Sequence, residues 1–313
     1  MGINVFNIKK HKDNFRNKKE HGLTKGWLVE CLKKMGSDNV VFQNECQFQF
    51  ALAWAIKEFF NYEISLEEVT LIDKFSNKKR RAYSDIVVKI AEDKYIAIEL
   101  KYKTAKKSVA SGDEEDYGEG GLTQQGAQGF GKYDFLWDVN RNEFLIYGQD
   151  KIKAEEKIIQ ESNNYRLTED DIKNYTNLQV DKELDIPSAT EIPKKGKFSS
   201  AFSIFLTNDK AYYTCPKKNS QEYNFRLAEK EKNSKRKFNA TDTYFWKTGD
   251  NKQKKSVEIK YPKKVILSDD IRGKARGRIL SFLQDYECEW EDYEDRNNSF
   301  KFLIFKTEMQ NNP

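Results

Sequence analysis

The sequence predicts an α/β fold of the α+β kind: a helix, a strand meander, then a further helix and further strands. Three observations carry this. Residues 42–60 are apolar around most of a helical circumference, crowded by Phe48, Phe50, Leu52, Trp54, Ile56 and Phe59. Residues 69–75, 85–91 (DIVVKIA) and 95–101 (YIAIELK) follow as three strand-like segments with short polar turns between them, the pattern of an antiparallel meander. Residues 201–207 (AFSIFLT) and 300–305 (FKFLIF) are apolar runs of strand length. Hydrophobic residues make up only 38% of the 313, but 21 Phe and 16 Tyr supply a core, which excludes a disordered chain.

In order, residues 1–35 are basic and mixed, with a helix expected around 27–35. On the next helix, Glu45 and Gln49 lie four apart and share one side. After the three strands comes an acidic, glycine-rich stretch, SGDEEDYGEGG (residues 111–121), which reads as a loop able to fold over a bound substrate or metal. Residues 121–140 offer a helix carrying Phe130, Tyr133, Phe135, Leu136 and Trp137. Residues 142–149 look like a short strand. Residues 150–198 are charged and poor in aromatics and read as inserted helices and loops. Residues 210–265 are basic, with aromatics scattered among the lysines. No internal repeat is present.

Composition narrows the function classes. No apolar stretch resembles a signal peptide or is long enough for a bilayer, so a soluble, cytoplasmic protein without a membrane partner is expected. Cys31, Cys46, Cys215 and Cys288 lie far apart with no CxxC pair, which argues against a zinc cluster or a disulfide framework. His11 and His21 are the only histidines. Any metal must then be held by carboxylates, pointing to Mg²⁺ or Mn²⁺. The net charge is +5, and residues 210–264 hold sixteen Lys and Arg against six Asp and Glu, leaving the rest of the chain net acidic. Such a segment suits a polyanionic partner; it also reads as an ordinary lysine-rich surface.

The chemistry-bearing pattern is Asp85, Glu99 and Lys101, a D-x13-E-x-K arrangement. Asp250, Glu258 and Lys260 fit the same template, so spacing alone discriminates nothing. Context does. Strand alternation puts Ile96, Ile98 and Leu100 on one face of YIAIELK and Tyr95, Ala97, Glu99 and Lys101 on the other. Asp85 is expected to open the neighbouring strand, close to Glu99. The second match sits in a lysine-rich segment with no apolar partner strand expected before it. Two carboxylates on adjacent strands can hold a hard divalent cation, and an amine two residues on can orient water or offset charge on a phosphate. Glu99 and Lys101 also read as a plain cross-strand ion pair. Burial would lower the lysine and the carboxylates would raise it, and the sequence leaves the winner open. Glu45, on an apolar helix, is costly unless paired or metal-bound; its bland alternative is an exposed first turn, where an acid complements the helix dipole.

The order helix with Glu45, strand, strand with Ser84-Asp85, strand with Glu99-Leu100-Lys101, helix, strand resembles the PD-(D/E)XK, restriction-endonuclease-like nuclease core, an αβββαβ unit with a mixed central sheet. The likeness extends to an uncharacterised bacterial group of restriction-endonuclease-like proteins through ELKYKT (residues 99–104), QGAQGFGKYDFLWDV (125–139), IFLTND (204–209) and a tail with Trp290, Tyr293 and FKFLIF. It spans roughly residues 40–306 with a divergent middle. Ser84 replaces the proline of "PD", and Lys132 stands where arginine is usual, offering a point charge without a bidentate fork.

The resemblance implies a metal-dependent endonuclease that hydrolyses DNA phosphodiester bonds, in restriction or anti-phage defence. Its catalytic residues would be Glu45, Asp85, Glu99 and Lys101, with Asp85, Glu99 and Glu45 as ligands of Mg²⁺ (or Mn²⁺). Gln125, Gln128 and Lys132, spaced for one helix face, would contact substrate, with Asp134 nearby; those polar residues also read as merely facing water. It divides the chain into an N-terminal extension (1–39), a nuclease core (40–209) with an insertion at about 145–198, and a basic, β-rich C-terminal extension (210–313) packed on the core. The alternatives are a catalytically silent nucleic-acid-binding scaffold and an RNA-directed nuclease. Nucleases of this type often pair to cut both strands, so a homodimer is a candidate assembly, although nothing in the chain itself points to one.

Overall fold

The computed structural model describes residues 6–11, 15, 22–75, 78–105, 122, 128–148, 150–151, 153–154, 197–218, 223–229, 234–240, 242–247, 255–260, 280–295 and 299–309. The stretch 111–121, Gln125 and nearly all of 150–196 lie outside these residues.

Helix α1 (Lys25–Ser37) starts where the Thr24 side chain accepts from the Trp27 N–H, satisfying one orphan donor of the first turn. Helix α2 (Glu45–Phe60) starts one residue after Asn44, whose side chain caps the Gln47 N–H at 2.9 Å. It stops at Asn61, which takes the left-handed conformation common at helix ends. There follow β1 (Glu63–Phe75), β2 (Lys78–Ala91), β3 (Lys94–Lys103), helix α3 (Gln128–Tyr147), β4 (Lys197–Thr207) and a one-turn helix α4 (Lys210–Tyr213). The remaining strands are β5 (Lys237–Phe238), β6 (Asp242–Lys247), β7 (Lys255–Lys260), β8 (Leu280–Ser281), β9 (Tyr286–Glu287), β10 (Glu291–Asp292) and β11 (Lys301–Glu308).

Six strands form one mixed sheet in the order β1-β2-β3-β4-β11-β10. β1, β2 and β3 are antiparallel neighbours, β3 and β4 run parallel, and β11 returns antiparallel to β4. The parallel step requires a crossover, and α3 lies on it. β4 is covered on both faces, which explains its nearly continuous apolar run. Phe202, Ile204 and Leu206 join the cluster under α1 and α2, while Phe205 packs with Phe135, Leu136 and Val139 of α3. Trp27, Leu28 and Met35 of α1 belong to the same core as Ile86, Ile98 and Leu100. Gly36 permits that packing, because a Cβ there would lie 1.3 Å from the Tyr293 carbonyl oxygen. No helix among the described residues is long and apolar enough to cross a membrane.

Three expectations are corrected. α2 is not buried all round: Phe50 and Trp54 are 62% and 50% exposed. The helix is an outer layer and buries Phe48, Gln49, Leu52, Ala53, Ala55, Ile56 and Phe60. Residues 142–147 are not a strand but the last turns of α3; a four-residue apolar run cannot distinguish the two by period. Asp85 does not open its strand. β2 begins at Lys78 and forms a long hairpin with β1, and only its pairing with β3 starts near Asp85.

Candidate active site

The site is built where two strands part. The β2–β3 ladder runs from Ala91↔Lys94 to Ile86↔Ile98 and ends there, while β3 continues beside β4 as far as Lys103↔Thr207. Beyond Ile98, the β3 amides that would face β2 need other acceptors. Two carboxylates supply them. Asp85 Oδ2 accepts from the Leu100 N–H at 2.5 Å, and Glu45 Oε2, reaching from the first residue of α2, accepts from the Tyr102 N–H at 2.7 Å. The fork thus orders both acids by one oxygen each.

Alternation along β3 does the rest. Ile96, Ile98, Leu100 and Tyr102 enter the core under α1 and α2, and Ala97 packs on the opposite face. Glu99 and Lys101 share that opposite face, beneath α3, where Glu99 is buried and Lys101 partly so. Gln49, one turn after Glu45, donates to the Asp85 carbonyl at 2.7 Å and to Glu67 Oε1 at 2.9 Å. Glu67 lies on β1 between the pairs Leu66↔Ile86 and Glu68↔Ser84, with a left-handed φ of 51°. A non-glycine residue held there costs about 1–3 kcal/mol and marks a place the surroundings over-determine.

Two groups that sequence reasoning missed complete the cluster. Arg141 of α3 places Nη2 2.6 Å from Glu99 Oε2 and 3.1 Å from Asp138 Oδ1, and Lys101 Nζ lies 3.2 Å from Asp138 Oδ2. Asp134, Asp138 and Arg141 recur at helical spacing, so one stripe of α3 serves this spot. A polar i, i+4, i+7 stripe on an aromatic helix was the available signal, and Asp138 lay within the quoted motif without a role.

Electrostatics separates the groups. Burial, followed by the neighbouring Asp138 and Glu45, pushes Asp85 up to about 7 against the Leu100 N–H and Lys101, which lower it. Burial is also the main influence on Glu99 and drives it upward, with Asp85 and Asp138, while Arg141 and the Ser84 hydroxyl oppose. Ser84, in the position of the motif's proline, thus gives Glu99 a donor that proline would lack. For Lys101, burial alone would depress the amine, but Asp138, Glu45 and Asp134 outweigh it and hold the amine above its ordinary value. Between the two influences the sequence sets against each other, the carboxylates outweigh burial. Among the described residues, Glu45, Asp85, Glu99 and Asp138 thus share the site with the cations Lys101 and Arg141.

Among the described residues, no three Asp, Glu, His or Cys side chains are gathered for metal binding as they stand. The reason is visible: Glu99 and Asp138 turn onto Arg141, and Asp85 and Glu45 onto backbone amides. The chemistry of the donor set nonetheless fits a hard divalent cation. All donors are carboxylate oxygens, and the acids Asp138 and Glu45 add to the burial that raises Asp85.

The remaining expected site residues fall elsewhere. Gln125 lies outside the described residues, and Gln128 is the first residue of α3. Lys132 is wholly buried, with its amine 5.9 Å from the centre of the Tyr212 ring, and so is not the exposed phosphate contact expected of it. Gly131 beside it is required by the same approach, since a Cβ would lie 2.5 Å from Tyr212 Oη. Within IFLTND, Asn208 Oδ1 accepts from the Ala105 N–H at 2.8 Å and Asp209 caps α4, tying the ends of β3 and β4 together. In the basic segment, Tyr212 and Phe225 are core residues, not surface contacts. Arg226 pairs with Glu229, Lys235 with Glu287 and Glu289, and Lys237 with Glu287, which offsets part of the segment's charge. The second D-x-E-x-K match does have a partner strand: Glu258 and Lys260 lie on β7, paired with β6, while Asp250 is outside the described residues.

Compared with protein-family models, curated proteins and solved structures, the chain shows no match.

Proposed function

We propose that the chain is a metal-dependent endonuclease of the PD-(D/E)XK type that hydrolyses DNA phosphodiester bonds, in restriction or another anti-phage defence. The observation that carries the reading is the convergence of Glu45 from α2, Asp85 from β2, and Glu99 and Lys101 from β3 at one fork in the sheet. The order α2-β1-β2-β3-α3-β4, with a parallel β3–β4 step, supports it further.

Asp85 and Glu99, with Glu45, would hold Mg²⁺ or Mn²⁺. Bound there, the ion supplies Lewis acidity at the phosphoryl oxygens and acidifies a water. The chain's own residues then have distinct tasks. Lys101, kept protonated, donates to charge developing on the phosphate. Asp138 fixes the position of that amine. Gln49 holds the Asp85 backbone, and the Leu100 N–H fixes one Asp85 oxygen, leaving the other to a ligand. Lysines of the C-terminal region would add sequence-independent phosphate contacts.

The test is plasmid nicking by the purified full chain with Mg²⁺ or Mn²⁺, beside an RNA substrate of matched length. Glu99→Gln and Lys101→Met are expected to lower cleavage by roughly 100-fold or more, and EDTA to stop it. Cleavage that survives EDTA and both substitutions would overturn the proposal; cleavage of the RNA alone would change its substrate. One observation favours a second reading: the hold of Arg141 on Glu99 suits a silent nucleic-acid-binding scaffold. Salt-dependent DNA binding with no cleavage under any divalent ion would select it.

A further inference from the structure

We propose that Arg141 is a latch on this site: it holds Glu99 until a phosphate of the nucleic acid takes its guanidinium, so that polyanion and divalent cation bind cooperatively. The inference rests on the nuclease reading above and names how that same site is regulated.

Arg141 is held incompletely. Its Nη2 alone serves both Glu99 Oε2 and Asp138 Oδ1, and its buried Nε has no hydrogen-bond partner. A guanidinium carries five N–H donors in a planar fork suited to phosphate, and a buried arginine with a purely structural task normally uses them. Here donor capacity is left over beside a site read as binding phosphodiesters. The side chain also keeps 20% of its surface exposed, so an incoming anion can reach it.

Its two carboxylates stand differently. Asp138 retains Lys101 at 3.2 Å if Arg141 departs. Glu99 keeps only the weaker help of the Ser84 hydroxyl. Removing Arg141 therefore uncovers charge at Glu99, the residue assigned to the cation. With the guanidinium engaged by phosphate, Lys101 is the cation left to Glu99, Asp85, Glu45 and Asp138 among the described residues, and the demand for a divalent ion rises. Linkage makes the effect reciprocal: the factor by which nucleic acid tightens the ion is the factor by which the ion tightens nucleic acid.

The experiment measures binding, not turnover. Mn²⁺ affinity is read by calorimetry on wild type, Arg141→Gln, Arg141→Lys, Asp85→Asn and Glu99→Gln. Affinity for a fluorescent phosphorothioate DNA duplex is read by anisotropy with and without Mn²⁺ at constant ionic strength, and circular dichroism checks folding. Arg141→Gln is expected to bind Mn²⁺ on the order of tenfold more tightly than wild type, and to lose the enhancement of duplex binding that Mn²⁺ gives wild type, also on the order of tenfold. Arg141→Lys, which keeps the charge and loses the fork, is expected to fall between them and carries the test if Arg141→Gln does not fold. Mn²⁺ affinity unchanged or weakened at position 141, with binding abolished by Asp85→Asn and Glu99→Gln, would overturn the latch and leave the nuclease reading standing. Mn²⁺ affinity indifferent to Asp85→Asn and Glu99→Gln would overturn both.

Discussion

Helix α3 carries two clusters of buried charge, reaching within two residues of each other at Arg141 and Glu143, and they are built on opposite principles. The one around Glu143 is closed. Glu143 accepts from Lys151 at 2.8 Å, the Leu283 N–H at 2.8 Å, the Gln284 N–H at 3.3 Å and Tyr286 Oη at 3.1 Å. Lys151 also donates to the Ser281 carbonyl and hydroxyl, and neither ion has any exposed side-chain surface. One acid meets one base, and the carboxylate is saturated with donors. The cluster at Glu99 and Arg141 sets Glu45, Asp85, Glu99 and Asp138 against Lys101 and Arg141 among the described residues, with an Asp85 pushed up to about 7 and an arginine Nε without an acceptor. A satisfied buried pair pins structure, here the 280–287 segment against α3. An unbalanced one stores a demand that a ligand can meet.

The largest expected effect breaks the closed cluster. Lys151→Met leaves Glu143 buried without its cation and should cost about 3–5 kcal/mol of unfolding free energy. Denaturant unfolding reads it, and Mn²⁺, acting on this variant and on wild type through the same unaltered carboxylates, should leave the difference between them unchanged. At the open cluster, Mn²⁺ at a hundredfold its dissociation constant should stabilise Arg141→Gln by about 2.7 kcal/mol. A Lys151→Met deficit that Mn²⁺ closes, or an Arg141→Gln protein that Mn²⁺ does not stabilise, would erase the distinction.

A smaller effect lies in pH. Asp85 titrates near 7 in the folded protein and near 3.9 when unfolded. The folded state thus binds the proton more tightly. The stability this confers is fully present below about pH 4 and is lost as pH rises towards and through 7. In EDTA, the melting temperature of wild type should therefore decline from pH 5 to 8 more steeply than that of Asp85→Asn. Parallel profiles would show that the open cluster stores no such demand.

The smallest effect marks the baseline. Lys237 and Glu287 form an ion pair in solvent, and Lys237→Ala should leave the melting temperature unchanged within error. A clear drop there would mean that charge pairing as such, and not burial with or without saturation, separates the two clusters.

The sequence made part of this site legible through short-range periods. Period-two alternation in YIAIELK places Glu99 and Lys101 together, and it needs no knowledge of the partner strands. Glu45 and Gln49 share a helix side by the same kind of local rule. Arg141 was not legible, because a helix period says which residues share a stripe and not what the stripe faces. Lys132 was misjudged for the same reason: its spacing from Gln128 reads as an outer face, yet α4 brings Tyr212 over it. Residues 142–147 were misread because an apolar run of four fits either period, and only the fit of Asn142 against Phe202 and Ser203 of β4 and of Glu143 against Leu283 settles the helix.

What the chain by itself determined is local: which of its longer segments are helix or strand, and which side chains alternate to a common face. Tertiary structure decided how those pieces are charged and held. The parting of β2 from β3 leaves two backbone amides for Asp85 and Glu45 to satisfy, and the seating of α3 brings Arg141 and Asp138 over Glu99. Both depend on groups 15 to 57 residues apart in sequence. Coulomb interactions and desolvation act through space, so no pattern of neighbours along the chain encodes them.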